Sequence, residues 1–487
     1  MLSTVRALVG SFTTGTREYI EKHLELAGER YLDSINDTRP ESTVAMMDRL
    51  APLLQYVQDG DSVVSIGIGS GEEVCGLWEL FGDSVRIIGV DIAPSALDKT
   101  RLRVSRNNFN TELVKADAVD LPLKDATISA VVLSSTLHEI FSYHEDGLGA
   151  FRRCLSEIAR VLKPGGVVFI RDFAAPDIDE LVTLHIRTPL AMKFYEAFRA
   201  SFRRFPLWNG KMDHLKLTDD YLPPLGAGVV HIPAGTGAEL VMHFRSFWSD
   251  YQSGASSLGD PHWKEADEMY HIQANGKVLH PDEYLGAVEE ALGTRFTLVL
   301  RRLRARGKTA TFLGKHFSLS SKTQADLIPQ TTRKLECILQ KDAVVLKHYA
   351  AAVIFDESGR VLLCKRAAYK KIAPNMWHLP GGAVELDENP IEAVTREIKE
   401  ELDLDTIAIF PTKMRLTYPV AGGYHQTHIF LVEAPRQTPV LKTEENSEAR
   451  FVTLEEVTAL IEPHLVDDNV RAIKAASVIR GGSISPE

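Results

Sequence analysis

The sequence is poor in the features that mark secreted, membrane-embedded or nucleic-acid-coating proteins. Only four cysteines occur in 487 residues, Cys75, Cys154, Cys337 and Cys364. They lie far apart with no CxxC pair, which argues against a disulfide framework and a cysteine zinc site. No apolar run approaches the ~18 residues that a spanning helix needs, and mean hydropathy is close to zero, at −0.09. Positive charge is also short: 55 Lys and Arg stand against 66 Asp and Glu, a net −11. That balance disfavours general attraction to phosphate backbones and leaves only local basic stripes for such a role. Acids are scarce between Met1 and Arg17, yet no clear cleavage signal marks a transit peptide. Together these absences favour a cytoplasmic protein with no membrane partner.

What is present is ordinary globular material in more than one domain. Hydrophobic residues make up 44% and charged residues 25%, and the length exceeds the roughly 250–300 residues at which a single core stops growing. Residues 1–60 read as a helical region, with apolar positions at helical spacing from Thr43 to Val57. From 61 to 317 strands and helices alternate. The runs Val63 to Ile66, Val85 to Val90, Ile128 to Leu133 and Val167 to Ile170 predict buried parallel strands. Helices are predicted around Glu72 to Phe81, Ser95 to Val104 and Leu148 to Leu162, giving a doubly wound α/β domain. Within it, 174–280 breaks the rhythm. The block Arg187 to His271 holds 13 of the 38 aromatic residues, so it is expected to fold as a cap with its own core. A helix at Pro281 to Leu292 and strands at Phe296 to Leu303 and Thr309 to Phe317 follow. Polar residues 318–345 read as a linker, and a strand at Tyr349 to Phe355 opens a last domain, 346–487.

Gly67-Ile68-Gly69-Ser70-Gly71 lies between a predicted strand and a helix, where missing side chains let a ligand approach the backbone. A pyrophosphate is disfavoured there, because Glu72 and Glu73 follow at the helix start and Gly is missing at 72. A cationic cofactor is not disfavoured. With these residues the segment resembles class I S-adenosylmethionine-dependent methyltransferases, across roughly Asp61 to Phe317. The resemblance implies a Rossmann-like fold with S-adenosyl-L-methionine at Gly67, Gly69 and Gly71. It places Asp91 with Ile92 at the ribose, Asp117 with Ala118 near the adenine amine, and Ser134 in the loop after the fourth strand. Leu162-Lys163-Pro164-Gly165-Gly166 matches the turn before the fifth strand. The chain departs from the family at Ser65, where an acid usually stands, which bears on cofactor affinity.

In the same loop His138 is a candidate general base with Glu139 orienting it, since its ordinary pKa lies near working pH. Packing is its alternative role. Ile170 to Phe173 and Tyr270 to Glu283 resemble parts of the tRNA 3-methylcytidine methyltransferases, so the acceptor expected is a nucleotide or RNA. A basic run, Arg301, Arg302, Arg304, Arg306 and Lys308, fits either phosphate contact or a solvated hairpin edge. Trp208, Phe247, Trp248, Tyr251 and Trp263 fit either base stacking or the cap's core.

Asn389 and Glu392 flank Pro390 in a capping-box pattern, and Ile391, Val394, Ile398 and Leu402 give the ensuing helix one apolar face. Glu397, Glu400 and Glu401 then share one side of a turn. Three like charges there call for a cation, and oxygen ligands suit Mg²⁺ or Mn²⁺. Arg396, four residues before Glu400, is placed to orient them. Gly382, five residues, Glu388, seven residues, then Arg396-Glu397-Ile398-Lys399-Glu400-Glu401-Leu402-Asp403-Leu404 resembles the signature of Nudix hydrolases, which implies an α/β/α sandwich. The resemblance implies metal at Glu397, Glu400 and Glu401, with Glu445 as a further ligand or base and Glu448 its competitor. The place of Pro419 after the helix is similar to a spacing in ADP-ribose-cleaving members, which does not by itself name the substrate. Trp377 and Tyr424 fit base stacking or the core. Asp403 replaces the usual glycine and is expected to strain the helix exit.

The whole reads as a bifunctional enzyme: methyl transfer to an unidentified acceptor, and metal-dependent hydrolysis of a nucleoside-diphosphate-linked small molecule. The alternatives are a hydrolase with a non-catalytic S-adenosylmethionine- or nucleotide-binding N-terminal module, or a nucleotide-sensing binding protein.

Overall fold

A computed structural model describes residue 46, residues 49–204 apart from 145 and 179, residues 228–254 and 257, and residues 269–482 apart from 275–276, 305–306, 323, 325, 371–372, 386–387, 421–422, 435–438, 442–444 and 464. Most of the expected N-terminal helical region, with Trp208, Trp263 and Arg306, falls outside the described residues. The chain divides into two compact units, Met1–Asp342 and Ala343–Glu487.

In the first unit, β1 (Ser62–Ile66), α1 (Glu72–Phe81), β2 (Arg86–Asp91), α2 (Pro94–Arg106), β3 (Thr111–Lys115) and β4 (Ile128–Ser134) alternate as expected. After β4 come α3 (Leu137–Tyr143), α4 (Gly147–Val161) and β5 (Leu162–Phe173). Helix α4 shows why the pattern is legible. Asp146 caps it by accepting from the Gly149 amide at 3.0 Å, and Phe151, Cys154, Leu155, Ile158 and Val161 form one buried stripe. β4 is buried along almost its whole length because helices cover both faces of the sheet.

The chain continues through β6 (Leu181–Ile186), α5 (Pro189–Arg204), β7 (Val229–Pro233), α6 (Ala234–Ser253), a short hairpin β8 (Gln273–Ala274) and β9 (Lys277–Val278), and α7 (Pro281–Leu292). Then follow β10 (Phe296–Arg304), α8 (Gly307–His316), β11 (Phe317–Ser320), α9 (Ile328–Thr331) and β12 (Lys334–Lys341). The main sheet runs β10-β12-β5-β4-β1-β2-β3. Its β5-β4-β1-β2-β3 portion is parallel, and β12 is antiparallel to both β5 and β10. Strand order reverses between β1 and β4, and the carboxyl ends of strands at such a reversal are where open α/β sheets take ligands.

Two expectations are corrected here. Thr309 to Phe317 is not a strand: helix α8 covers most of it and buries Leu313 and His316, three residues apart, before β11 begins at Phe317. Nor is 318–345 a linker, since β11, α9 and β12 occupy most of it and β12 sits inside the main sheet. The charges of Lys334, Glu336 and Lys341 hide that strand in the sequence, yet all three residues are buried. Glu336 is the key, accepting from the Nε atoms of Arg171 (3.2 Å), Arg302 (2.5 Å) and Arg304 (2.8 Å). Buried charge is tolerated when paired in this way.

Aromatic residues of the insert lie in a core that segments beyond its expected end at 280 complete, among them Leu313, Phe317 and Leu327. β11, β6 and β7 form a three-stranded antiparallel sheet against α5 and α6, packed around Phe194, Phe198, Phe244, Phe247 and Phe317. Phe247 is therefore a core residue, whereas Tyr251 is exposed.

The second unit contains β13 (Val345–Val353), β14 (Val361–Arg366), β15 (Trp377–His378), β16 (Gly381–Ala383), α10 (Pro390–Leu402), β17 (Ala408–Val420), β18 (Gly423–Glu433), β19 (Asn446–Val452), α11 (Leu454–Leu460) and α12 (Val466–Gly482). Its sheets are β16-β13-β18-β17 and β15-β14-β19. Alternation along β13 sends Ala350 and Ala352 to the core shared with Val394 and Ile398 of α10. Ala351 and Val353 go to the opposite core, with Val457 of α11 and Ile473 of α12. Helices thus flank the sheets on both sides, as in an α/β/α sandwich. Trp377 belongs to that second core, and Tyr424 is buried.

Candidate active sites

In the first unit the glycine turn is shaped by what surrounds it. Gly67 has φ +73°, and a Cβ there would come within 2.5 Å of the Thr136 side chain, so only glycine fits. The Gly69 amide donates to Asp91 Oδ2 at 3.1 Å, and the Ala93 amide to Oδ1 at 2.9 Å. Ile92 adds a further backbone contact. Asp91 is thus buried at the tip of β2, tying the turn to the next loop, and burial raises its pKa against those backbone bonds. Asp117 follows β3, with Oδ1 accepting from Val119 (3.1 Å) and lying 3.7 Å from His144 Nε2; Ala118 is buried beside it. Ser134 ends β4. The predicted cofactor residues thus fall at the carboxyl ends of adjacent strands, the side where open α/β sheets take ligands.

His138 lies in the first turn of α3 and is fully buried. Its Nδ1 is 2.6 Å from Asp172 Oδ1, and its amide donates to Asp172 Oδ2 at 3.0 Å. The orienting partner is therefore Asp172 and not the expected Glu139, because neighbours i and i+1 on a helix do not face one another. Burial opposes ionisation of Asp172, but His138, Lys334 and the Phe173 amide outweigh it and hold its pKa below the usual value. The sequence offers one signal for it in Ile170 to Phe173, where an acid ends an apolar strand. Phe173 and Tyr270 stand against the imidazole with centroids at 5.1 and 6.1 Å, and Lys334 Nζ lies 3.5 Å over the Phe173 ring. Nearby, buried Glu239 accepts from the Tyr270 amide at 2.7 Å and contacts His271 Nδ1 at 2.6 Å.

The basic run divides into pairs. Arg302 and Arg304 are bound to Glu336, and Arg301 lies 3.0 Å from Asp282. Three of its members are thus matched to carboxylates within the fold.

In the second unit, Asn389 Oδ1 accepts from the Ile391 and Glu392 amides at 2.9 and 3.0 Å, and the Asn389 amide donates in return to the Glu392 carboxylate at 2.8 Å. The capping box is therefore formed. Arg396 donates Nε and Nη2 to the two oxygens of Glu388 (2.9 and 3.0 Å), Nη1 to Glu397 (2.9 Å) and Glu400 (3.1 Å), and Nη2 to the Ala383 carbonyl (2.9 Å). It gathers carboxylates from a loop and a helix, and they raise its own pKa. The Glu397 carboxylate lies against Gly382, where a Cβ would stand 2.1 Å from Oε1. That contact explains the glycine.

Glu401 is buried, and its Oε2 has no hydrogen-bond partner among the described residues. Burial foremost, then the charge of Glu397, pushes its pKa up to about 7, against pulls from the Asn446 side chain and the Gly381 amide. Glu445 adds to the repulsion on Glu397 and Glu401 while Lys370 holds it at 2.6 Å. Glu448 points elsewhere, 3.7 Å from Arg450. Asn446, whose Oδ1 lies 3.1 Å from His378 Nε2, carries no signature in the sequence. Among the described residues no three acidic, histidine or cysteine side chains already form a closed metal cage. The donor chemistry nevertheless fits a hard cation: an orphaned buried carboxylate oxygen beside two further carboxylates. As expected, Asp403 ends α10 in the left-handed region, with φ 53° and ψ 26°.

Fold and site together define a two-domain α/β protein with a glycine turn at the strand switch point of one unit and a carboxylate-bearing helix in the other. The family model of the NUDIX domain matches residues 346–472, and that of a methyltransferase domain matches residues 64–170. An uncharacterized Nudix hydrolase of Listeria innocua is 33% identical over 133 residues, 27% of this chain and 78% of that protein. The 27-O-demethylrifamycin SV methyltransferase of Amycolatopsis mediterranei is 30% identical over 145 residues, 29% of this chain and 49% of that enzyme. A solved SAM-dependent methyltransferase from Aquifex aeolicus is 21% identical, covering 31% of this chain and 75% of that one, with a TM-score of 0.26. The chain spans about half the length of the curated methyltransferases it matches, 49% and 57% for two of them. It belongs to the Nudix hydrolase family through its C-terminal unit, with a methyltransferase domain ahead of it. No helix among the described residues is long and apolar enough to cross a membrane.

Proposed function

We propose that the chain is a bifunctional enzyme that transfers a methyl group from S-adenosyl-L-methionine in its first unit and hydrolyses a nucleoside-diphosphate-linked compound in its second. The observation that carries this reading is Glu401, a buried carboxylate with an unpartnered oxygen beside Glu397 and Glu445. Such an arrangement is unfavourable unless a cation completes it. Glu397, Glu400, Glu401 and Glu445 would hold Mg²⁺ or Mn²⁺, which when bound supplies charge neutralisation for substrate phosphates and acidifies water. Arg396 fixes the rotamers of Glu397 and Glu400, so that these carboxylates keep their positions. Charge on Glu401 requires the cation or a pH above its raised pKa.

In the first unit Gly67, Gly69, Gly71, Asp91, Ile92, Asp117, Ala118 and Ser134 would hold S-adenosylmethionine, which supplies an electrophilic methyl group. Asp172 keeps the proton of the imidazole on Nδ1, making Nε2 the basic nitrogen of His138. His138 would take the proton that the acceptor's nucleophile loses as it is methylated, with Asp172 stabilising the resulting charge. Phe173 and Tyr270 keep water from the imidazole. Pairing of Arg301, Arg302 and Arg304 within the fold favours a small nucleotide-like acceptor over an RNA backbone. The test is a screen of nucleoside-diphosphate-linked compounds with Mg²⁺ and Mn²⁺, each product then offered as methyl acceptor with S-adenosylmethionine. Absence of hydrolysis across the panel, or hydrolysis unaffected by Glu401→Gln, would overturn the hydrolase half.

A further inference from the structure

At the carboxyl ends of β1 and β4 lies a carboxylate that takes no part in the chemistry described above. Glu73 is the second residue of α1, immediately after the glycine turn, and its side chain turns back over the sheet. Ser65, fully buried on β1, donates from Oγ to Glu73 Oε2 at 3.5 Å, and the Ser134 hydroxyl at the end of β4 acts on the same carboxylate and favours its charged form. Its neighbour Glu72 faces outward, 3.8 Å from Arg103. Among the described residues Glu73 forms no ion pair: Arg171 is bonded to Glu336 and Lys334 to Ser135, and these two and Arg49 act on Glu73 through their charge without pairing with it. A carboxylate at the carboxyl ends of β1 and β4 that a serine hydroxyl contacts and no side chain pairs is a seat for a further cation.

Position then restricts which cation. Asp91 stands on β2, on one side of β1, whereas Ser134 stands on β4, on the other. A cofactor whose ribose lies at Asp91 and which crosses the glycine turn ends over Ser65, Ser134 and Glu73. In S-adenosylmethionine that end is the amino-acid arm, with its α-ammonium. We infer that Glu73 is the carboxylate that receives this ammonium, taking over from α1 the charge that Ser65 does not provide on β1. The assignment rests on the methyltransferase reading of the first unit. Both serines are neutral hydrogen-bonding partners and orient the carboxylate without neutralising it.

The test is calorimetric binding to the full chain, with S-adenosylmethionine and with 5′-methylthioadenosine, which lacks the amino-acid arm. Glu73→Gln is expected to weaken S-adenosylmethionine binding by roughly 10- to 100-fold, the loss of one charged hydrogen bond, and to leave 5′-methylthioadenosine unchanged. Adding Ser65→Asp to Glu73→Gln is expected to restore part of the lost affinity by returning the charge to β1. Equal binding of S-adenosylmethionine by wild type and Glu73→Gln would overturn the assignment. Equal loss for both ligands would overturn it too, since it would mark a structural role. If the wild-type chain bound neither ligand, the methyltransferase reading itself would fall.

Discussion

Arg396 grips both oxygens of Glu388 from eight residues away, at 2.9 and 3.0 Å, while its remaining donor reaches Glu397 and Glu400. This paired geometry makes the guanidinium the fixed point of the carboxylate cluster, and a lysine cannot reproduce it. Glu388→Gln and Arg396→Lys are each expected to lower kcat/KM for hydrolysis by about 10- to 100-fold, the usual effect of losing a residue that orients metal ligands. Circular dichroism should show the fold retained, and excess Mg²⁺ should recover part of the rate for Glu388→Gln.

A pH effect on stability follows from Glu401. Its folded pKa, about 7, lies above the ordinary 4.5, so the fold binds its proton more tightly than the unfolded chain does. The stabilisation is complete below about pH 4.5 and disappears as pH rises through about 7. Its size is on the order of 3 kcal/mol. Without metal the second unit should therefore melt at lower temperature at pH 8 than at pH 5.5. Glu401→Gln should flatten that dependence, and Mg²⁺ at pH 8 should restore stability to the wild type only.

The exit of α10 offers a separate test of strain. Asp403 holds φ 53°, a region that side chains other than glycine enter at a penalty. Its contact with Lys399 at 3.0 Å is exposed and adds little. Asp403→Gly is expected to stabilise the second unit by up to about 1 kcal/mol with hydrolysis unchanged, whereas Asp403→Val should destabilise it. Chemical denaturation followed on the second unit checks both.

In the first unit Asp172→Asn should leave S-adenosylmethionine binding intact and lower methyl transfer by roughly 10²- to 10⁴-fold, the range of a positioned base. The residual rate should rise with pH, because the acceptor then loses its proton to solvent. If Asp172→Asn transferred methyl groups at the wild-type rate, His138 would be a packing residue only.

Much of this architecture is legible in the sequence wherever the determinants are local. The capping box at Asn389, the carboxylates at Glu397, Glu400 and Glu401, and the glycine turn before α1 all lie within short windows, so spacing alone brings their members together. What escapes depends on distant partners. β12 is disguised by Lys334 and Glu336, and the Glu336 charge is buried only because Arg171, Arg302 and Arg304 converge there from β5 and β10. Asp172 meets His138 across 34 residues, and Asn446, at the start of β19, acts on Glu401 of helix α10. The sequence of α8 suggests a strand because its short apolar stretch suits either period until Leu313 and His316 find the insert's core.

The most direct test of metal binding at Glu401 is Mn²⁺ titration of the full chain, measured by electron paramagnetic resonance at pH 8. Saturable binding is predicted for the wild type, with at least about tenfold weaker binding by Glu401→Gln, as expected for loss of one charged ligand. Equal Mn²⁺ affinity in the two proteins would contradict a cation seated on that carboxylate.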